Sequence, residues 1–189
     1  YGAMTPSSVR WFVLKMRTKE LNDIDPIREW LEEVQDRLLL AFRQSSFNLA
    51  VNEYLIDVGG FGTGAIFVEE KIGPFNFNGF QFTTLAPGKF VIAEGNDGNV
   101  DTLGREFELP LRLIERRRWT LSTQMKKAKT DGKPDKMFKI VHMVMPREDY
   151  DSRKMDNENM AYASVYYAAE DKELLHESGY REMPFMVSR

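Results

Sequence analysis

The chain contains no cysteine and only two histidines, His142 and His176. The first absence removes disulfide frameworks, zinc knuckles and thiol catalysis together, and it fits a reducing compartment. The second leaves little material for a histidine-based triad. His142 sits on an apolar, alternating segment, where a lone imidazole reads as a hydrogen-bonded core residue. His176 reads as part of a polar helical turn, and the neighbouring Glu177-Ser178-Gly179 is not the G-x-S-x-G of a nucleophile elbow. No stretch approaches the ~20 apolar residues that a membrane-crossing helix requires, so no membrane partner is expected. The opening Tyr1-Gly2-Ala3-Met4-Thr5-Pro6 has neither a basic flank nor an apolar signal core. With no methionine in first place, the chain reads as an excised piece of something longer.

The glycine cluster Gly59-Gly60-Phe61-Gly62-Thr63-Gly64 matches neither G-x-G-x-x-G nor G-x-x-x-x-G-K-[ST], and no lysine follows it. Its order, helix then glycines then strand, is also the reverse of a phosphate cradle, in which a strand feeds a helix N-terminus. It reads instead as a helix C-cap entering a tight turn. No cofactor and no metal site is expected.

What is present is ordinary for a globular protein: 189 residues, 42% hydrophobic and 29% charged. The net charge of −3 conceals an asymmetry. Residues 112–139 hold ten Lys or Arg against Glu115, Asp131 and Asp135, an excess of +7, and the remainder stands at −10. Such a block can meet nucleic acid, an acidic neighbouring subunit, or only water.

Periodicity assigns the elements. Residues 9–17 alternate, with Phe12, Leu14 and Met16 on one face, and predict a half-buried strand. Asp25-Pro26 opens a helix with Asp25 as N-cap and Pro26 in the first position. Ile27, Trp30, Leu31, Val34, Leu38 and Phe42 form its apolar face. Ser45-Ser46 cap a second helix running to about Val58. Beyond it lie a strand at Ala65–Val68 and a hairpin in which Phe75, Phe77, Phe80 and Phe82 flank Asn78-Gly79. Phe90–Ala93 and Val100–Glu108 form a further hairpin about Asn96-Asp97-Gly98. Leu111–Trp119 and Leu121 to about Lys129 read as helices, closed by Asp131-Gly132-Lys133-Pro134. Met137–Met145, Met160–Ala168 and Tyr180–Val187 read as strands, with a polar loop over 146–159. The fold class is α+β: an N-terminal strand and helical pair (1–58) packed with a mainly antiparallel β region (59–189) that carries a basic helical insertion near 110–130.

Two chemistries are open. Pro134-Asp135 ahead of a strand, with Glu170-Asp171-Lys172, has the acid-x-lysine form of a metal-dependent nuclease, but the second acid falls in a charged loop. The basic block, Arg112, Arg116, Arg117, Arg118, Lys126, Lys127 and Lys129, can bind phosphates, with Trp119 available to stack; a solvated or intersubunit face is its alternative.

Several segments resemble, in sequence order, the head-to-tail connecting (portal) proteins of short-tailed bacteriophages. They are Tyr1-Gly2 with Thr5-Pro6 and Arg10-Trp11-Phe12; Lys19-Glu20-Leu21 through Trp30-Leu31 and Val34–Phe42; and Phe61-Gly62-Thr63-Gly64-Ala65 with Phe67-Val68-Glu69-Glu70. They continue with Asn99-Val100-Asp101-Thr102 and Arg105-Glu106-Phe107, Pro146-Arg147-Glu148-Asp149-Tyr150, Ala163-Ser164-Val165-Tyr166-Tyr167, and Glu177–Glu182 with Pro184-Phe185. Residues 71–84 and 110–136 depart from the pattern. The resemblance implies most of the wing of a portal subunit, without the long stem helices, clip and crown. It implies a structural part and not an enzyme, in a ring that is usually a dodecamer at the portal vertex of the virion, assembled in the host cytoplasm. The implied partners are copies of itself, phage DNA, capsid or scaffold, terminase and tail proteins. A stand-alone nucleic-acid-binding module is the other reading, and a nuclease the third.

Overall fold

The structure, a computed structural model, describes residues 10–73, 76–151, 153–154 and 156–189, leaving aside the side chains of residues 72–73 and 76–77. The expectations resting on Tyr1–Pro6, Val9 and Phe75 lie outside these residues. Helices and antiparallel sheets make up the fold, as the α+β expectation requires. The chain divides into two compact units, one reaching to Leu85 and taking in Met186–Arg189, the other spanning Ala86–Phe185.

In the first unit, Arg10–Met16 keeps the expected alternation, with Phe12, Leu14 and Met16 turned inward, but it joins no sheet. Side chains take the place of a strand partner: Gln35 accepts from the Leu14 N–H at 3.2 Å and Asn22 from the Met16 N–H at 2.7 Å. Helix α1, Asp25–Arg43, has Pro26 in its first turn. Asp25 does not cap it. Ile24 holds that position, and the Asp25 carboxylate accepts from Arg28 at 2.6 Å. Leu31, Gln35 and Leu39 are the buried stripe, whereas Trp30, expected to share it, is 57% exposed. The error lies in the helical period: Trp30 and Leu31 are 100° apart, and only one of them can face inward.

Helix α2, Phe47–Phe61, runs three residues past Val58, through Gly59-Gly60. It stops where Gly62 turns left-handed (φ 75°) and its N–H donates to the Val58 carbonyl at 2.9 Å. Of the two serines expected to cap it, Ser45 takes the Phe47 N–H at 3.1 Å, whereas Ser46 makes no capping bond: its hydroxyl donates to the Phe82 carbonyl at 2.7 Å and accepts from the Phe82 N–H at 3.0 Å. Strands β1, Gly64–Gly73, and β2, Asn76–Leu85, form a hairpin whose tip lies beyond Gly73↔Asn76, so Asn78-Gly79 is not its turn. Those two residues oppose the single Lys71, a β-bulge, and Gly79 takes φ 98° there. Strand β8, Phe185–Ser188, completes a sheet ordered β2-β1-β8. Ala50, Ile66 and Phe82 are its buried centre, with Phe42 and Phe47 stacked at 4.6 Å beside them.

The second unit is a five-stranded antiparallel sheet ordered β3-β4-β5-β6-β7: Phe90–Glu94, Val100–Pro110, Met137–Pro146, Tyr162–Ala168 and Leu174–Tyr180. The Asn96-Asp97-Gly98 turn joins β3 to β4 as expected. The last strand, β7, was not anticipated. Its His176 lies on a sheet, not in a helical turn. Helix α3, Leu111–Arg116, ends before Trp119, and α4, Thr123–Thr130, is capped by Ser122, which accepts from the Met125 N–H. Leu111, Ile114, Trp119, Met125 and Ala128 from this helical segment bury Phe138, Ile140, Tyr166 and Leu175.

Candidate interaction surface and a buried histidine row

Antiparallel register sets Arg105, His142, Tyr166 and His176 side by side across four strands. Arg105 Nε donates to His142 Nδ1 at 3.0 Å, and His142 Nε2 lies 2.9 Å from Ser164 Oγ. An arginine only donates, so Nδ1 is the accepting nitrogen and the proton sits on Nε2, pointing at Ser164. The ring stacks on Tyr166 at 4.0 Å. Burial, reinforced by the Arg105 and Arg117 charges, pushes His142 down to about 2. It is the core residue that its position on an apolar strand face foretold: neutral, with both nitrogens engaged. His176 is also lowered by burial and stacks against Trp119, ring centroids 5.8 Å apart. With both ring nitrogens of His142 engaged, that imidazole has none left to act as a general base. Sequence reasoning missed this row because it missed β7 and therefore the register.

The nuclease candidates are engaged otherwise. Asp135 accepts from Arg112 Nε at 2.6 Å, and Asp171 accepts from the Gln124 N–H at 3.0 Å. Hydrogen bonds led by Ser122 hold the Asp171 carboxyl below the usual range. Among the described residues no group of three or more His, Cys, Asp or Glu is placed to hold a metal ion. No helix among them is long and apolar enough to cross a membrane.

The basic block is brought together on the surface of α3, α4 and the turn between them. Arg112, Arg116, Arg117, Arg118, Lys126, Lys127 and Lys129 are all exposed. Three of the local cations are neutralised within the chain: Arg112 by Asp135, Lys129 by Glu115 at 2.9 Å and Lys133 by Asp131 at 3.4 Å. Arg117 lies over the Trp119 ring, 5.2 Å from its centroid, and that indole is buried. Trp119, expected to be available for stacking, is instead the lid of the unit's core. Arg118 turns left-handed (φ 58°) to end the helical segment. Arg116, Arg118, Lys126 and Lys127 enter no ion pair among the described residues.

Two segments distant in the sequence also meet. Arg147 donates to Glu177 at 2.8 Å, tying Pro146–Tyr150 to β7.

The model of the family described as bacteriophage head to tail connecting protein matches residues 1–189. The chain belongs to that family. Along 192 aligned residues it is 30% identical to the probable portal protein of Bordetella phage BPP-1 and 30% identical to the portal protein of Salmonella phage epsilon15. Both alignments take in 100% of this chain and 34% of the relative, so the chain spans about a third of the length of these relatives.

Proposed function

We propose that this chain is wing-region material of a phage portal subunit, a structural part of a ring and not an enzyme. The observation that carries the reading is the family match along all 189 residues, joined by two portal proteins aligned over the whole chain. Its physical chemistry is compatible: the buried His142 is neutral, with both ring nitrogens hydrogen-bonded inside the sheet. In this reading the intact subunit forms a ring, with twelve copies as the expected number, at the portal vertex of the virion. It assembles in the host cytoplasm, passes phage DNA, and meets capsid or scaffold, terminase and tail proteins. The α3–α4 face, with Arg112, Arg116, Arg117, Arg118, Lys126, Lys127 and Lys129, serves as a contact to DNA or to a neighbouring subunit.

A stand-alone nucleic-acid module is the second reading, favoured by Arg116, Arg118, Lys126 and Lys127, exposed and in no ion pair among the described residues. Electron microscopy of the full-length protein separates the two. Rings are expected; a full-length protein that stays monomeric and shifts DNA with steep salt dependence overturns the ring reading.

A further inference from the structure

We propose that the outward face of α1 docks on the basic α3–α4 face of a second copy of the chain, a contact that rests on the ring reading above. Helix α1 buries Leu31, Gln35 and Leu39, and presents Glu29, Trp30, Glu33, Arg37 and Leu40 on the opposite side. Trp30 is 57% exposed and Leu40 53%. A tryptophan and a leucine on one solvent-facing stripe, rimmed by charge, have the composition of an interface centre with a polar border. The border is acidic: residues 25–36 carry five carboxylates against Arg28 alone. Glu33 and Asp36 are spent on Arg37 and Arg10. Glu29 and Glu32 are exposed and enter no ion pair among the described residues.

The complement lies in the same sequence. Arg116, Arg118, Lys126 and Lys127 are exposed cations that enter no ion pair among the described residues, and the stems of arginine and lysine cover an indole face well. A closed ring is built from heterologous contacts, in which each copy must supply two different and mutually complementary patches. These two faces meet that requirement in charge and in apolar content.

DNA is the less fitting occupant of the basic face. Arg112, Lys129 and Lys133 are neutralised where they stand, so the positive stripe is interrupted. Trp119 is buried, leaving no aromatic platform for a base. Residues 86–185 carry 17 Lys or Arg against 18 Asp or Glu, without the basic excess of a phosphate-binding domain.

The test uses the full-length protein in four forms: wild type, Glu29→Lys with Glu32→Lys, Arg116→Glu with Lys127→Glu, and all four substitutions together. Ring fraction is read by size-exclusion chromatography and electron microscopy, with circular dichroism of the subunits to verify folding. Each reversed pair is expected to lower the ring fraction about fivefold or more, because like charges then face each other, and the combined form to recover it. Undiminished rings in both pair variants, or no recovery on combining folded variants, overturns the contact while leaving the ring reading intact. A basic-face variant that assembles normally but loses retention of a short duplex DNA overturns it in favour of a nucleic-acid surface. A wild type without rings sinks the parent reading and this one with it.

Discussion

Arg105 donates through Nε to Nδ1 of His142 at 3.0 Å, which fixes the imidazole as a neutral Nε2–H tautomer inside the sheet. The unfolded chain binds a proton on this ring near 6.5, whereas the folded chain resists it down to about 2. Between those values the unfolded state holds more protons, so the stabilisation is complete above pH 6.5 and drains away as the pH falls below it. His142→Phe keeps the stack on Tyr166 and cannot titrate. Urea unfolding at pH 7 and pH 5 is expected to show wild type losing about 2 kcal/mol more than the variant over that interval. Equal losses in the two proteins would refute the assignment.

The helical segment that carries the basic block also closes the second unit's core, and the two roles separate by residue. Ile114 is fully buried among Leu111, Trp119 and Phe138, two positions from the exposed Arg116. Ile114→Ala is expected to cost about 2–5 kcal/mol through lost burial and a cavity. Arg116→Ala is expected to stay within about 0.5 kcal/mol. Chemical denaturation of both variants checks the contrast, and a costly Arg116→Ala would mean that the face is structural within the chain.

Ser46 joins the start of α2 to the outer edge of β2 by a double bond pattern, giving to and taking from the backbone of Phe82. Ser46→Ala leaves that N–H and carbonyl without their side-chain partner in a half-buried place. The expected cost is about 1–3 kcal/mol. Amide exchange at Phe82 should accelerate with it, and an unchanged rate would show that water replaces the hydroxyl freely.

Where burial follows from period alone, the sequence was legible. The β5 alternation Phe138, Ile140, His142, Val144 is the buried face, and α1 and the β3–β4 hairpin fall where periodicity and turn chemistry put them. The failures come from local signals with two physical uses. Asn78-Gly79 can make a turn or a bulge, since both need positive φ; only the pairing across β1 decides. The 10–16 segment alternates as a strand does, yet Gln35 and Asn22 satisfy its amides. Strand β7 hid behind His176, Glu177, Ser178 and Gly179, polar residues without apolar alternation, because it closes the sheet as an edge. The basic surface was visible as composition; that Trp119 belongs to the core beneath it was not.

The Arg147–Glu177 pair offers a last check, because it joins two segments that the sequence separates by thirty positions. The Arg147 side chain is 16% exposed, and its buried Nε has no hydrogen-bond partner among the described residues, so Glu177 carries most of the compensation for its charge. Removing the acid alone strands a desolvated guanidinium, and Glu177→Ala is expected to cost about 1–3 kcal/mol. Arg147→Met removes the cation and keeps an apolar stem of similar reach, so the double variant Arg147→Met with Glu177→Ala should be more stable than Glu177→Ala alone. A double-mutant cycle by denaturant unfolding measures the coupling directly. Strict additivity of the two substitutions would mean that the guanidinium finds other partners once the acid is gone.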